Sequence, residues 1–410
     1  MENKIESSLA TRSNMSDYLQ IKNFGPIKDA TIELKPFLVI IGGQGTGKST
    51  IAKVLTICQE LFWYIQILEE SKDVLQPFHI FSIADYFQQN SYIEFKKGSM
   101  TIVYEAGKFT LTDSSCPDKE ELLNKYKGCI YNEIKRTASS MGVASDEALE
   151  EFIKTNNNLF MTGNKGTSFY IPAERNLAGA FSNVLANILI VGIPLPLTFL
   201  NYLRFFEKAR NEFPVYDLPF LPVTYKFTNG KEGVIVSKDG KEEMLPLNQC
   251  SSGIQSLLPM LMILDFCIKK ELFDSYVIEE PEQNLFPDNQ LAVLRYLIGR
   301  MKQMDFKGCH TITTHSPYLL SGINISLLAG ALAPQFTEEV NRIIPDRFHL
   351  KPGTVGAYAL GDKEVYCKDI INTLTGTIDQ NYLDATSSAV GSEFAKLYRL
   401  YIKSLKSKEQ

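Results

Sequence analysis

The run Gly42-Gly43-Gln44-Gly45-Thr46-Gly47-Lys48-Ser49-Thr50 constrains this chain more than any other stretch. It follows directly on the apolar run Phe37-Leu38-Val39-Ile40-Ile41 and leads directly into the helix-like Ile51-Ala52-Lys53-Val54-Leu55. Strand, glycine loop and helix in that order form the context a phosphate-binding loop needs. Glycines let backbone N–H groups turn inward and approach phosphate oxygens closely. A helix starting near Ser49 adds its positive dipole end. Lys48 is placed to reach the β- and γ-phosphates, and the Ser49 hydroxyl to ligate Mg²⁺.

The length of 410 residues allows one large domain or two ordinary ones, and a hydrophobic fraction of 44% is enough for a sizeable core. A formal net charge of −5 gives no global attraction to nucleic acid or anionic membranes. The cysteines Cys58, Cys116, Cys129, Cys250, Cys267, Cys309 and Cys367 form no CxxC pair, and only four histidines are present. Structural zinc is not expected, and reduced thiols in a cytoplasmic protein are the simplest reading. The polar stretch Met1 to Ser16 has no apolar core of a secretory signal. Val184 to Leu200 is strongly apolar, but Asn187, Gly192, Pro194 and Pro196 interrupt it. It reads as two buried helices joined at the Gly-Ile-Pro-Leu-Pro turn, with a membrane span as the lesser alternative and no membrane partner expected.

Alternating residues predict strands over 18–22 and 30–34, separated by the turn Asn23-Phe24-Gly25-Pro26. Helical spacing is expected over 51–70, strand character over 91–112 with a turn near Ala106-Gly107-Lys108, and polar helix over 118–160. A short strand Ser168–Ile171 leads into Pro172-Ala173-Glu174-Arg175, followed by apolar helices over 177–212. Hairpins are expected over 222–246, with turns at Asn229-Gly230 and Asp239-Gly240. Then come helix 253–270, strand 275–279, helix 288–303, strand 310–314, helix 317–323 and a C-terminal helix over 387–405. That alternation is an α/β sheet pattern.

Three further segments join the loop. In Tyr276-Val277-Ile278-Glu279-Glu280-Pro281-Glu282 an apolar strand runs into acids. Glu279 would stand near Mg²⁺, and Glu280 would orient or deprotonate an attacking water. Ser251-Ser252-Gly253-Ile254-Gln255 opens a helix, a second surface suited to an anion. Thr311-Ile312-Thr313-Thr314-His315-Ser316 ends a strand in a histidine, where a γ-phosphate sensor would sit.

The order of these motifs resembles the ATP-binding-cassette class, and within it the heads of structural-maintenance-of-chromosomes and RecF-type proteins. The resemblance runs from Ile21 to about Leu400. It implies an α/β fold: a P-loop head with a mixed central sheet and an antiparallel β subdomain, carrying a helical insertion. The expected division is an N-terminal lobe over 16–115, the insertion over 116–220 and a C-terminal lobe over 221–410. Gly42 to Thr50 match Walker A; Ser252, Gly253 and Gln255 match the signature that touches the nucleotide of an opposing subunit. Glu279 and Glu280 match the Walker B acids, Asn284-Leu285 falls in the D-loop position, and His315 matches the switch histidine. In this pattern Lys48, Glu280 and His315 carry the catalysis. Glu279 stands where Asp is usual, and Ile254 where Gly is usual.

Asn23-Phe24-Gly25-Pro26, Ile171 to Arg175, Glu280-Pro281-Glu282 and Thr314-His315-Ser316-Pro317 look like the overcoming-lysogenization-defect-type ATPases of prokaryotic anti-phage systems such as Septu, PARIS and retron modules. That resemblance implies ATP and Mg²⁺ as cofactors, and a homodimer or higher homo-oligomer whose heads sandwich ATP. It also implies a separate effector, a nuclease or toxin. Nucleic acid stays open as a ligand. The alternative is a RecF-like DNA-repair or chromosome-maintenance ATPase; that reading expects a long coiled coil or basic channel, and neither is visible. Ile171 to Arg175 takes the place of the Q-loop. A coupling role for Arg175 and a plain Glu174–Arg175 ion pair are both open readings.

Overall fold

The computed structural model describes residues 17–140, 167–181, 195–238, 241–305, 307–362, 364–379 and 392–399. The strands are β1 (Tyr18–Phe24), β2 (Ile27–Glu33), β3 (Phe37–Gly42), β4 (Tyr92–Lys97), β5 (Met100–Glu105), β6 (Lys108–Asp113), β7 (Ser168–Ile171) and β8 (Val215–Asp217). They continue with β9 (Thr224–Thr228), β10 (Lys231–Lys238), β11 (Lys241–Leu245), β12 (Ser275–Glu279), β13 (His310–Thr314), β14 (Val355–Leu360) and β15 (Cys367–Asp369). A six-stranded sheet in the order β15-β14-β3-β13-β12-β7 forms the centre. Its strands from β14 to β7 pair in parallel, and only the edge strand β15 runs antiparallel.

β3 is buried along its whole length because the sheet is covered on both faces. Alternation sends Phe37, Val39 and Ile41 into one core, shared with Phe169, Ile278, Ile312 and helix Ser252–Lys269. Leu38 and Ile40 point into the other, shared with β1, β2, helix Lys48–Ile57 and the aromatic group around Trp63 and Phe78. The sequence pattern anticipates one antiparallel subdomain; the structure has two antiparallel sheets, β2-β1-β4-β5-β6 and β11-β10-β9-β8.

Residues 51–70 are not one helix. Helix Lys48–Ile57 ends at Cys58, and helix Leu61–Leu68 leaves it at 73°. The second segment, Leu-Phe-Trp-Tyr-Ile-Gln-Ile-Leu, is apolar apart from Gln66, and most of it is buried by turning to lie between β6 and helix Lys119–Ser140. Residues 91–112 make three strands, with a second turn at Gly98 that alternation alone did not reveal. Helix Pro317–Leu332 runs nine residues beyond the expected 317–323 end, because Ile323, Ser326, Leu327 and Ala329 continue its buried side. β14 and β15 are also additions to the expected elements.

Within 116–220, β7 pairs in register with β12 as the edge of the central sheet, and helix Leu197–Glu212 packs into the main core. The Asp239-Gly240 turn, the 141–160 part of the polar helix and the apolar stretch up to Pro194 lie outside the described residues. So does most of the C-terminal helix, of which 392–399 are helical. None of the seven cysteines forms a disulfide. Among the described residues one helix, Ser252–Lys269, is long and apolar enough to cross a membrane, and most of it is buried inside the protein.

Candidate functional site

Strand register assembles the site. β13 pairs with β3 up to Thr314 opposite Ile41, β12 pairs with β13 up to Glu279 opposite Thr313, and β7 pairs with β12 up to Ile171 opposite Ile278. Four adjacent parallel strands therefore end at one edge. The chain leaves them as Gly42–Gly47, His315, Glu280 and Pro172–Arg175. Carboxyl ends of parallel strands are where α/β sheets bind ligands.

The glycine loop has the backbone its composition suggests. Gly45 and Gly47 have φ of +73° and +88°, and Gly47 caps helix Lys48–Ile57. The Thr46 hydroxyl donates to the Gly43 carbonyl at 2.8 Å. Gln44, Gly45 and Ser49 are exposed, while Lys48 and Thr50 are buried. The Lys48 ammonium donates to the carbonyls of Gly42 (2.9 Å) and Gly43 (3.1 Å). Burial lowers its pKa, and the carboxylates of Glu280, Glu279 and Glu282 oppose that shift.

Glu279 is buried, and burial raises its pKa; Lys53 and the hydroxyls of Tyr170 and Ser49 pull it back. Its Oε1 has no hydrogen-bond partner among the described residues. A buried, unpartnered carboxylate oxygen beside a serine hydroxyl fits a divalent cation. Among the described residues no group of three or more His, Cys, Asp or Glu could hold a metal by itself. Mg²⁺, which keeps waters and phosphate oxygens as most of its ligands, needs no such group.

Glu280 adopts the left-handed region, φ +43°, and its N–H donates to the Thr313 carbonyl at 2.9 Å. Its Oε1 lies 3.3 Å from His315 Nε2. Both side chains are about one-third exposed. Burial and the nearby Lys48 charge lower the His315 pKa, with Glu280 acting against them, so the imidazole is neutral at pH 7. Helix Ser252–Lys269 is capped by the Ser251 hydroxyl, which accepts from the Ile254 N–H. Ser252 is exposed, while Gly253 is buried against the Asn284 carbonyl and Leu285. The Gln255 amide turns back to donate to the Cys250 carbonyl at 2.7 Å, and its stem packs on Gly179. Thus Lys48, Ser49, Glu279, Glu280 and His315 converge, whereas Gly253 lies against the 284–285 turn, Gln255 bonds back to its own helix cap and Ser252 is exposed.

Three contributors had no assigned role in the sequence reading. Glu282 accepts from the Thr314 hydroxyl and from the His315 N–H at 3.1 Å, so it fixes the strand end that carries His315. Its spacing from Glu280 was the available signal. Tyr366 places its hydroxyl 2.7 Å from the Thr46 carbonyl and 2.8 Å from the Pro26 carbonyl, bracing the glycine loop from a distant part of the chain. Tyr170 stands beside Glu279 from the end of β7. Arg175 makes no ion pair with Glu174 among the described residues; it donates to backbone carbonyls of Pro172, Glu279 and Glu280.

A glycine loop with a buried lysine, and two acids at the end of β12, one strand beyond β13 in the same parallel sheet, define a P-loop nucleotide-binding protein. The AAA ATPase domain model matches residues 15–170 and 118–320, and the chain belongs to that family; it is an ATPase. No curated protein matches the sequence. Solved structures similar to it include a structural-maintenance-of-chromosomes head bound to the C-terminal winged-helix domain of ScpA, at 13% identity, 86% of this chain, 96% of that one and a TM-score of 0.37. A structural-maintenance-of-chromosomes head from Thermotoga maritima matches at 12% identity, 75% and 92% coverage and a TM-score of 0.35. A dimeric, post-hydrolysis ATP-binding cassette bound to ADP and Pi matches at 12% identity, 73% and 89% coverage and a TM-score of 0.28.

Proposed function

We propose that this ATPase is a nucleotide-gated switch in which two copies close on ATP, and that it serves a prokaryotic anti-phage complex with a separate nuclease or toxin as effector. The observation that carries the switch is the 3.3 Å contact between Glu280 and His315 beside the glycine loop, on strands that end together. Gly42 to Thr50 hold the phosphates, and Lys48 neutralises their charge. Mg²⁺, held by Ser49 and Glu279, would supply charge neutralisation at the phosphates. Glu280 takes a proton from the attacking water, and neutral His315 reports the γ-phosphate to helix Pro317–Leu332, which starts two residues later. Ser252 is exposed at the N-terminus of its helix, which suits completion of a partner's site. The defence assignment is supported by the motif resemblance. Its segments Pro172–Arg175, Glu280–Glu282 and Thr314–Ser316 are hydrogen-bonded to one another around this site.

The test is a set of three variants in the purified protein. Lys48→Ala loses ATP binding, Glu280→Gln binds ATP without hydrolysing it and doubles in mass by light scattering, and Ser252→Arg prevents that doubling. Retained pairing in Ser252→Arg refutes the shared site. Equal phage plating on cells with and without the gene and its chromosomal neighbours refutes the defence role.

A further inference from the structure

Arg175 is fully buried, and a guanidinium keeps its charge inside a protein. Such a charge is tolerated only where acceptors surround it. Its acceptors here are main-chain oxygens: Nη1 donates to the carbonyls of Pro172 (3.2 Å) and Glu279, and Nη2 to the carbonyl of Glu280. The carbonyls of residues 279 and 280 belong to the two peptide planes that flank the Glu280 Cα. Holding both planes fixes φ and ψ of that one residue. Glu280 needs such a hold, because its φ of +43° lies where L side chains are rarely found. The direction of its Cα–Cβ bond follows from those two angles, and that direction brings its carboxylate to His315.

We propose that Arg175 is a positioning residue whose two-pronged grip on the peptides either side of Glu280 aims the Glu280 carboxylate. This rests on the reading of Glu280 as the base. A lysine carries the same charge but donates from a single nitrogen and cannot reproduce the planar fork. The conservative replacement therefore separates charge from geometry.

The experiment measures single-turnover hydrolysis of radiolabelled ATP, and the affinity for a fluorescent ATP analogue, in Arg175→Lys, Arg175→Gln, Glu280→Gln and Arg175→Lys/Glu280→Gln. Circular dichroism checks folding. Arg175→Lys slows hydrolysis about 10- to 100-fold, the size of loss expected when a reacting group is misplaced by about 1 Å. Its nucleotide affinity stays within about threefold of wild type, since mispositioning of the base touches only the reaction step. In the Glu280→Gln background the second substitution costs nothing further, because a residue that acts only through Glu280 has nothing left to aim. Multiplying losses in the double variant, affinity falling in step with rate, or an unchanged rate in Arg175→Lys overturns the proposal. Unfolding of both Arg175 variants overturns it too, since Arg175 is then a structural residue. Wild-type hydrolysis by Glu280→Gln removes the base reading itself, and with it the proposal; loss in Glu280→Gln beside an unaffected Arg175→Lys removes the proposal alone.

Discussion

The two positive-φ glycines of the loop separate backbone cost from packing cost. Alanine at either position must hold a left-handed conformation, which costs about 1–2 kcal/mol for an L residue. At Gly45 that is the whole cost, because a Cβ there meets nothing within 4 Å. At Gly47 a Cβ would stand 2.8 Å from Ile27 Cγ1 and 3.4 Å from Pro26 Cγ. Ile27 is 1% exposed and packed into the core, so it cannot swing away. Overpacking of that kind adds about 1–3 kcal/mol. Gly45→Ala should therefore destabilise the nucleotide-free protein by about 1–2 kcal/mol, and Gly47→Ala by about 2–5 kcal/mol. Urea unfolding followed by circular dichroism, with matching m-values, reads the difference as a shift in midpoint. Equal midpoints would mean that the loop does not pack on the β1–β2 turn as described, and the account of Gly47 would fail.

Glu279→Gln should stabilise the nucleotide-free protein at pH 7 to 8 while weakening Mg²⁺-dependent ATP binding. Burial raises the folded-state pKa of Glu279 above its ordinary 4.5, so the folded chain holds this proton more tightly than the unfolded chain. Its stabilising contribution is complete below 4.5 and is lost as pH rises through the folded pKa; the two proteins should melt together in acid and diverge towards neutrality. A Gln variant less stable than wild type at pH 8 refutes the assignment. Tyr366→Phe removes one hydroxyl whose single proton serves the Thr46 and Pro26 carbonyls, and should cost about 1–2 kcal/mol in the same urea assay. A change within about 0.5 kcal/mol, as at an ordinary surface position, would show that the brace carries no weight.

The residues that make the site were legible one by one; their adjacency was not. Gly42–Thr50 and Glu279-Glu280 each end an apolar strand, His315 ends the threonine-rich strand His310–Thr314, and local pattern reveals that. Which strands are neighbours depends on pairing across the chain, and the order β3-β13-β12-β7 leaves no mark on any of them singly. β14 escaped for a related reason. Gly356, Ala357 and Ala359 have weak strand propensity, yet a Cβ at Gly356 would stand 2.8 Å from Leu38 Cδ2, so smallness is what the place beside β3 demands. Arg175 was singled out in the sequence, but its contacts escaped, for a deeper reason. Its acceptors are main-chain carbonyls, which every residue carries, so no side-chain partner in the sequence could announce it.

The same feature explains how the charges around the loop coexist. Glu279 and Glu282 are buried, and burial raises both their pKa values. Lys48, whose own pKa burial lowers, faces the same carboxylates, and its ammonium is bonded to Gly42 and Gly43 carbonyls rather than to any acid. The cations of this site are thus tied to main chain, and Glu279 keeps an oxygen free. Had Lys48 or Arg175 closed ion pairs with the acids, a nucleotide would have had to break buried salt bridges, at a cost of several kcal/mol each. With backbone carbonyls as their partners, both cations are held in place without closing off Glu279 Oε1, the oxygen that would stay available to a metal.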